Sequence, residues 1–436
     1  MPKLRPSHKL LALLAALWLV LFTYHEHIVP RTTAARCQWA PVEPAQTNVL
    51  LVADPQLIDN HTYVGRNELL LGLSKHTVDV YIKQNYRALV EQLKPDRIFF
   101  LGDYLDNGRL LLDVYYEREF ARFEAIFARW PQYKRGHTWF TDVPGNHDVG
   151  FGDGVRAEAQ ARFAAHFGSP NAVHLVNGVQ FVLLDTPSFS LQSGEVRRAL
   201  HDLVSLLMDT KTDHPRVLLS HVPLYRDTEA LPCGPLRESA RFDQGRGYQY
   251  QLALDPLVLA ELLGKLKPQL VFLGDDHDYC DVQHVGLARE VTVKSISMAM
   301  GIRYPAVQLL SYVAHGSDLS YDTHMCYLPP PYRDIVAYVT MAVASAVTLA
   351  VWLAIQRKPH RSRDALDTAQ KVSAFLEGAE TGEPVPQYTV TVPRWAQMWY
   401  GLCSFCRRWH VGAFFRHAAI LGAAAVAMYL VLVWLV

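Results

Sequence analysis

The sequence lacks a net charge. Its 42 Lys and Arg residues balance 42 Asp and Glu residues, so nothing in its bulk composition draws it to nucleic acid or to an acidic polymer. It lacks internal repeats, which excludes a solenoid or propeller array. Cysteine is scarce, six in 436 residues. The pair Cys403-x-x-Cys406 has no second pair to complete a zinc site by spacing, and palmitoylation beside a membrane or plain packing accounts for it equally well. Between residues 48 and 331 no apolar run is long enough to cross a bilayer. Apolar residues nevertheless make up 50% of the chain, the upper end for a soluble protein, and the surplus lies towards the two ends.

Three segments there are long and apolar enough to span a membrane: residues 10–29, 335–355 and 418–436. Lys3, Arg5, His8 and Lys9 lead the first, which reads as a retained signal anchor rather than a cleaved leader. Arg357, Lys358, Arg361 and Arg363 follow the second, and Arg407, Arg408 and Arg416 precede the third. The positive-inside rule then puts residues 1–9 and 356–417 in the cytoplasm. A linker, 30–47, and a large domain, 48–331, fall on the lumenal side. Residues 359–393 are charged and polar, with Pro384 and Pro386 among them, and read as a loosely ordered loop; Trp395, Trp399 and Tyr400, like Tyr332, read as interfacial anchors. Cys37, Cys233, Cys280 and Cys326 are lumenal, where disulfides are permitted, but sequence alone does not pair them. Asn60-His61-Thr62 is a glycosylation sequon on the same side.

From residue 48 onwards, short apolar runs alternate with helical stretches at about 77–93, 115–129, 155–167, 196–209 and 255–266. This alternation predicts an α/β domain with buried strands, parallel or mixed. Five of the runs end in residues of metal-ligand type. "LVADPQL" supplies Asp54 and Gln56, "LGDYLDNGR" supplies Asp103, Asp106 and Arg109, and "PGNHD" supplies Asn146, His147 and Asp148. "LSHVP" supplies His221, and "LGDDHDYC" supplies Asp275 and His277. Each alone has a bland explanation: an Asp after a strand is commonly a helix cap, Gly-Asn is a turn former, and a lone His is more often structural than a ligand. Five in succession, each at a strand end, point instead to one shared site, because ligands collect at the carboxyl ends of strands in α/β sheets.

The order D-x-[HQ], GDxxDxGR, GNHD, a strand-end His and G-x-x-H, over about residues 48–310, resembles the calcineurin-like metallophosphoesterase superfamily. The spans, together with "ADPQLID", "CGPLRES" and "EVTVKSISMAMGIRYP", resemble its membrane-bound branch: the fungal cell-division-control phosphoesterases and the animal ethanolamine-phosphate phosphodiesterases of glycosylphosphatidylinositol (GPI) remodelling. The resemblance implies a ββ sandwich flanked by helices and two divalent metal ions, manganese above all, with iron or zinc as alternatives. It implies that Asp103 bridges the metals, that Asp54 and His277 hold one, and that Asn146 and His221 hold the other. His147 is then the proton donor, oriented by Asp106 or Asp148, and Arg109 anchors its loop or meets phosphate charge. Such ligands without thiolate suit manganese, iron or zinc.

The chain departs from the family pattern twice. Gln56 stands where many members have a histidine ligand, and Asp275 where the first His of G-H-x-H is usual. An amide oxygen is a weak, neutral ligand, whereas a carboxylate at 275 adds charge that favours a hard ion. Arg237, Glu238 and Arg246, in the long connection after His221, are candidates for shaping a substrate pocket; His284 and Glu290 are candidates for supporting the ligands. The expected function is removal of ethanolamine phosphate from a GPI mannose in the endoplasmic reticulum or Golgi membrane, with a GPI glycolipid or GPI-anchored protein as substrate and membrane lipid as partner. The alternatives are a phosphoesterase for another lipid or glycan, or a non-catalytic adaptor for GPI-protein export.

Overall fold

The structure is a computed structural model that describes residues 6–434, apart from 192–193, 211, 240–241, 243, 248–249, 285 and 356–410. The expected cytoplasmic loop and its Cys403, Cys406, Trp395, Trp399 and Tyr400 therefore lie wholly or mostly outside the described residues. In chain order the strands are β1 (Thr47–Val52), β2 (Arg97–Phe100), β3 (Trp139–Phe140), β4 (Ala172–Val176), β5 (Val179–Leu183), β6 (Arg216–Leu219), β7 (Arg246–Gly247), β8 (Tyr250–Gln251), β9 (Leu270–Leu273), β10 (Cys280–Gln283), β11 (Arg289–Thr292), β12 (Ala306–His315) and β13 (Asp318–Tyr327). Two mixed sheets result, in the orders β13-β12-β1-β2-β3 and β10-β11-β9-β6-β5-β4, with β7-β8 as a separate ribbon.

Strand periodicity sorts the core into layers. Val49 and Leu51 of β1, and Phe99 of β2, face Phe181, Leu219 and Phe272 of the other sheet. The alternate residues Leu50, Val52, Ile98 and Phe100 face outward and pack under the helices Glu68–Leu93 and Asp113–Phe127. On the second sheet Val182, Leu218 and Val271 likewise face the helix Glu195–Asp209. Because both faces of both sheets are covered, β1, β2, β6 and β9 read as unbroken apolar runs. Strands β1–β2–β3 are mutually parallel, as are β5–β6–β9–β11. The arrangement is the α-ββ-α sandwich that the family resemblance implies.

The helices follow expectation with one difference at the start of the first. Glu68–Leu93 begins nine residues before the expected 77. Its opening turns carry Leu69, Leu70 and Leu73 outward into exposure, so no core-facing stripe marks them in the sequence.

Among the described residues three helices are long and apolar enough to cross a membrane: Pro6–Ala34, Tyr332–Ile355 and Val411–Trp434. The first outruns its apolar window. Its register shifts through a π turn at Tyr24–Ile28 and continues through Pro30 to Ala34, so part of the expected linker is helical. The rest of the linker is pinned to the domain. Cys37 is disulfide-bonded to Cys326 of β13, and Trp39 Nε1 donates to the Leu93 carbonyl at 2.8 Å. Cys233 pairs with Cys280.

The first disulfide closes a separation of 289 residues. Replacing Cys37 and Cys326 by Ala is expected to cost about 2–5 kcal/mol, because a cross-link of this kind chiefly restricts the unfolded chain. A fall in the thermal midpoint of the detergent-solubilised protein measures it.

Candidate metal centre

The turns that follow β1, β2, β3, β6 and β9 converge. Asp54, Gln56, Asp103, Asp275 and His277 all have left-handed backbone, with φ of 46°, 36°, 52°, 67° and 63°. They are five of the ten non-glycine residues with positive φ among the described residues. The conformation costs each about 1 kcal/mol or more and turns the chain sharply enough to aim every side chain inward. Two glycines make the approach possible. A Cβ on Gly145 would fall 2.0 Å from Asp103 Oδ1, and one on Gly102 would fall 2.6 Å from His221 Nδ1.

His221 is the hub, and it is fully buried. Its Nδ1 bonds to the Leu101 carbonyl at 2.7 Å. That bond keeps the proton on Nδ1 and turns the Nε2 lone pair inward. Nε2 then lies 3.2 Å from Asn146 Oδ1, 3.3 Å from Asp103 Oδ2 and 3.5 Å from Asp275 Oδ1. Asp54, Asp103 and His221 offer donor atoms within 4.8 Å of one another. His277 lies close enough that Asp275, Asp103, His147 and His221 all act on its charge. Its carbonyl accepts from Ser295 N at 3.0 Å, and Ser295 Oγ donates to the Asp54 carbonyl at 2.8 Å. One short segment after β11 thus braces two ligand turns.

The donor set fits divalent cations. Asp54 Oδ2, Asp275 Oδ2 and Gln56 Oε1 are buried without a hydrogen-bond partner, a costly state for lone pairs unless positive charge meets them. The electrostatics agree. Burial pushes the Asp54 carboxyl well above the usual carboxylate range. Burial also opposes charge on Asp103, but the imidazoles of His221 and His147 outweigh it and hold that carboxyl down. Burial disfavours protonated His221, yet Asp103 and Asp275 hold its pKa well above normal. The cluster calls for positive charge, and bound metal supplies it while displacing protons.

His147 sits at the rim, part-buried. Its Nδ1 meets the Asp106 carbonyl, and its backbone N donates to Asp103 Oδ1 at 2.9 Å. Gln56 Nε2 lies 3.2 Å from His147 Nε2 and donates to Asp106 Oδ1 at 2.9 Å. Gln56 therefore ties the histidine to Asp106 through its nitrogen and leaves only its oxygen for a metal. Thr62 Oγ1 donates to Asp106 Oδ2 at 2.5 Å; the sequence marked this threonine only as part of a sequon.

Asp148 does something other than orient His147. Its carboxylate accepts from the backbone N of Tyr104 at 3.1 Å, Leu105 at 3.3 Å and Gly145 at 2.9 Å, lacing the turn after β2 to the turn after β3. Of the two candidates for orienting the ring, Asp106 is the one in contact. Replacing Asp148 by Ala leaves three backbone donors unpaired at about 1–3 kcal/mol each. The expected loss is at least about 3 kcal/mol, a fall of roughly 6–12 °C in thermal midpoint, readable by scanning fluorimetry.

Arg109 Nη1 donates to the Asn146 carbonyl at 3.0 Å, which is the loop-anchoring role. Arg237 is paired with Asp276 rather than solvated. Glu238 pairs with Lys294 and accepts from Arg303 N and Tyr304 N. His284 and Glu290 do not brace the ligands: they bond each other at 2.7 Å, and Glu290 pairs with buried Arg226 against the Cys233–Cys280 disulfide. The Arg246 side chain lies outside what the structure describes. Sequence reading missed the Leu101 carbonyl and Ser295, and no side-chain signal marks a backbone acceptor.

A buried aspartate among histidine, asparagine and further carboxylates, gathered from strand ends of two sheets beside a rim histidine, defines a metal-dependent phosphoester hydrolase with a dimetal centre. Residues 48–279 match the calcineurin-like phosphoesterase family. Cell division control protein 1 of Saccharomyces cerevisiae is 36% identical over 374 residues, 80% of this chain and 75% of that one. Metallophosphoesterase 1 of Xenopus laevis is 24% identical over 79% of this chain and 90% of its own, and that of Mus musculus 28% identical over 64% and 72%. The chain belongs to the calcineurin-like phosphoesterases and is a membrane protein within that family.

Proposed function

We propose that the protein is a lumenal phosphodiesterase of the endoplasmic reticulum or Golgi that removes ethanolamine phosphate from a mannose of the GPI glycan, with manganese as its metal. The metal centre on a domain flanked by apolar helices carries this reading, since it pairs phosphoester chemistry with confinement to a lipid surface. Confinement of enzyme and lipid-linked substrate to one surface raises their effective concentration. The two disulfides at Cys37–Cys326 and Cys233–Cys280 support the lumenal side, because such bonds persist in oxidising compartments. The resemblance to the membrane-bound branch supports the GPI substrate.

Asp103, Asn146, His221, Asp275, Asp54, His277 and Gln56 Oε1 are the residues that would hold the metals. When bound, two such ions polarise the phosphoryl oxygens and activate water as a nucleophile. His147, its Nδ1 held by the Asp106 carbonyl, is the group placed to protonate the leaving alkoxide. Arg109 keeps Asn146 in place through the backbone. A mass-spectrometric comparison of GPI glycans tests the substrate. Cells lacking the protein should accumulate anchors with one additional ethanolamine phosphate, restored by the wild-type chain and not by Asp103→Asn. Unchanged anchors would direct the search to another lipid or glycan phosphoester.

A further inference from the structure

We propose that an apolar surface made by Val64, Leu69, Leu70, Leu73, Leu112 and Val114 lies in the headgroup layer of the membrane that holds the long helices, so that the rim of the metal centre faces lipid. Val64 is 94% exposed, Leu69 81%, Leu112 80% and Val114 74%. Single exposed leucines are ordinary on a soluble surface, but a cluster of them marks an interaction site.

The six residues come from two segments that touch. Tyr115, next to Val114, accepts a hydrogen bond from Asn60 N at 3.3 Å. Its ring meets His61 edge-on, and the Lys75 ammonium lies 5.8 Å from the ring centroid. The loop at 60–64 and the opening turns of the Glu68–Leu93 helix thus adjoin the start of the Asp113–Phe127 helix. The same loop reaches the metal centre, because Thr62 holds Asp106 and Asp106 holds Gln56.

The occupant follows from where the chain leaves the domain. The Glu68–Leu93 helix packs against Val29–Ala34, the end of the first long helix. Tyr81 Oη donates to the Pro329 carbonyl at 2.6 Å, three residues before the second long helix begins at Tyr332. At 1.5 Å per residue, Leu69 is about 18 Å along the helix from Tyr81. Both tethers join this helix, which brings the apolar surface within reach of the bilayer interface, where burying it is favourable. Its surroundings suit that layer: Tyr63 lies under the Arg66 guanidinium at 3.8 Å, and Lys75 is near by. Aromatic and basic residues are favoured at headgroup depth. A phosphoester on a membrane-anchored glycan would then reach the centre without leaving the interface. The inference rests on the long helices crossing the membrane, not on the identity of the ester.

The test uses the full chain with Cys403→Ser and Cys406→Ser, carrying one spin label at Val64→Cys, Leu69→Cys or Leu112→Cys, in phosphatidylcholine vesicles. Collision with dissolved oxygen, which concentrates in lipid, is compared with collision with a water-soluble nickel chelate. The expected result is oxygen preference at all three positions and nickel preference at Leu257→Cys, an exposed leucine on another helix. Nickel preference at the three positions overturns the proposal. Protection from both reagents also overturns it, since a second copy or another protein then covers the surface. Neither outcome depends on turnover. A second measurement uses Leu69→Ser/Leu70→Ser/Leu112→Ser. Hydrolysis of a phosphodiester lipid in the vesicle should lose about tenfold through KM, as expected when only binding is removed, while a soluble aryl phosphodiester is cleaved as before. Equal effects on both substrates overturn the proposal.

Discussion

Asp103→Asn is expected to lower turnover by at least about a thousandfold and to reduce bound metal from two ions per chain to one or none. The substitution is nearly isosteric, and the hydrogen bond from His147 N to Oδ1 at 2.9 Å can persist, so the fold should survive. What it removes is charge. Asp103 is the carboxylate that the surrounding imidazoles hold ionised despite complete burial, and its Oδ2 lies 3.3 Å from His221 Nε2. A neutral amide leaves His221 Nε2 without its nearest anionic partner. Metal catalysis provides several kcal/mol of transition-state charge stabilisation, and each 1.36 kcal/mol is about tenfold in rate. Elemental analysis together with steady-state rates measures both effects. A variant that keeps two metals and a rate within about tenfold of wild type would remove Asp103 from the bridging role.

His147→Ala is expected to separate metal binding from catalysis. The ring hangs on the Asp106 carbonyl through Nδ1 and on Gln56 through Nε2, outside the buried cluster centred on His221. Removing it should leave the metal content intact and lower kcat by about a hundred- to ten-thousandfold on an alkyl ester, the usual range for a lost general acid. On an aryl ester the leaving group needs no proton, and the loss should shrink to within about tenfold. A uniform loss on both esters would mean that His147 positions Asp103 through its backbone environment and donates no proton. Rates on matched alkyl and aryl phosphodiesters decide between these.

The family and the class of chemistry were legible before any coordinate. Asp54, Asp103, Asn146, His221, Asp275 and His277 each follow a strand, and strand ends announce themselves locally, as apolar runs that stop at a polar turn. The long apolar segments were legible for the same reason, since membrane spanning is a property of a continuous stretch. The start of the Glu68–Leu93 helix was not, because its first leucines face outward and periodicity reports only helices that bury a stripe. What Asp148 holds was not legible for a related reason. Its partners are backbone N–H groups of Tyr104 and Leu105, 44 and 43 residues away, and a backbone donor leaves no trace in residue type.

The sequence by itself determined which side chains have ligand chemistry, their order along the chain and the helices able to cross a bilayer. Only the tertiary structure decided that Leu101 sets the His221 tautomer across 120 residues, that Gln56 turns its nitrogen to Asp106, and that Cys37 joins Cys326. The physical reason is one of range. Apolar periodicity and turn chemistry act over a few residues and are written locally, whereas a hydrogen bond or disulfide between distant turns exists only once two sheets have packed and brought their strand ends together.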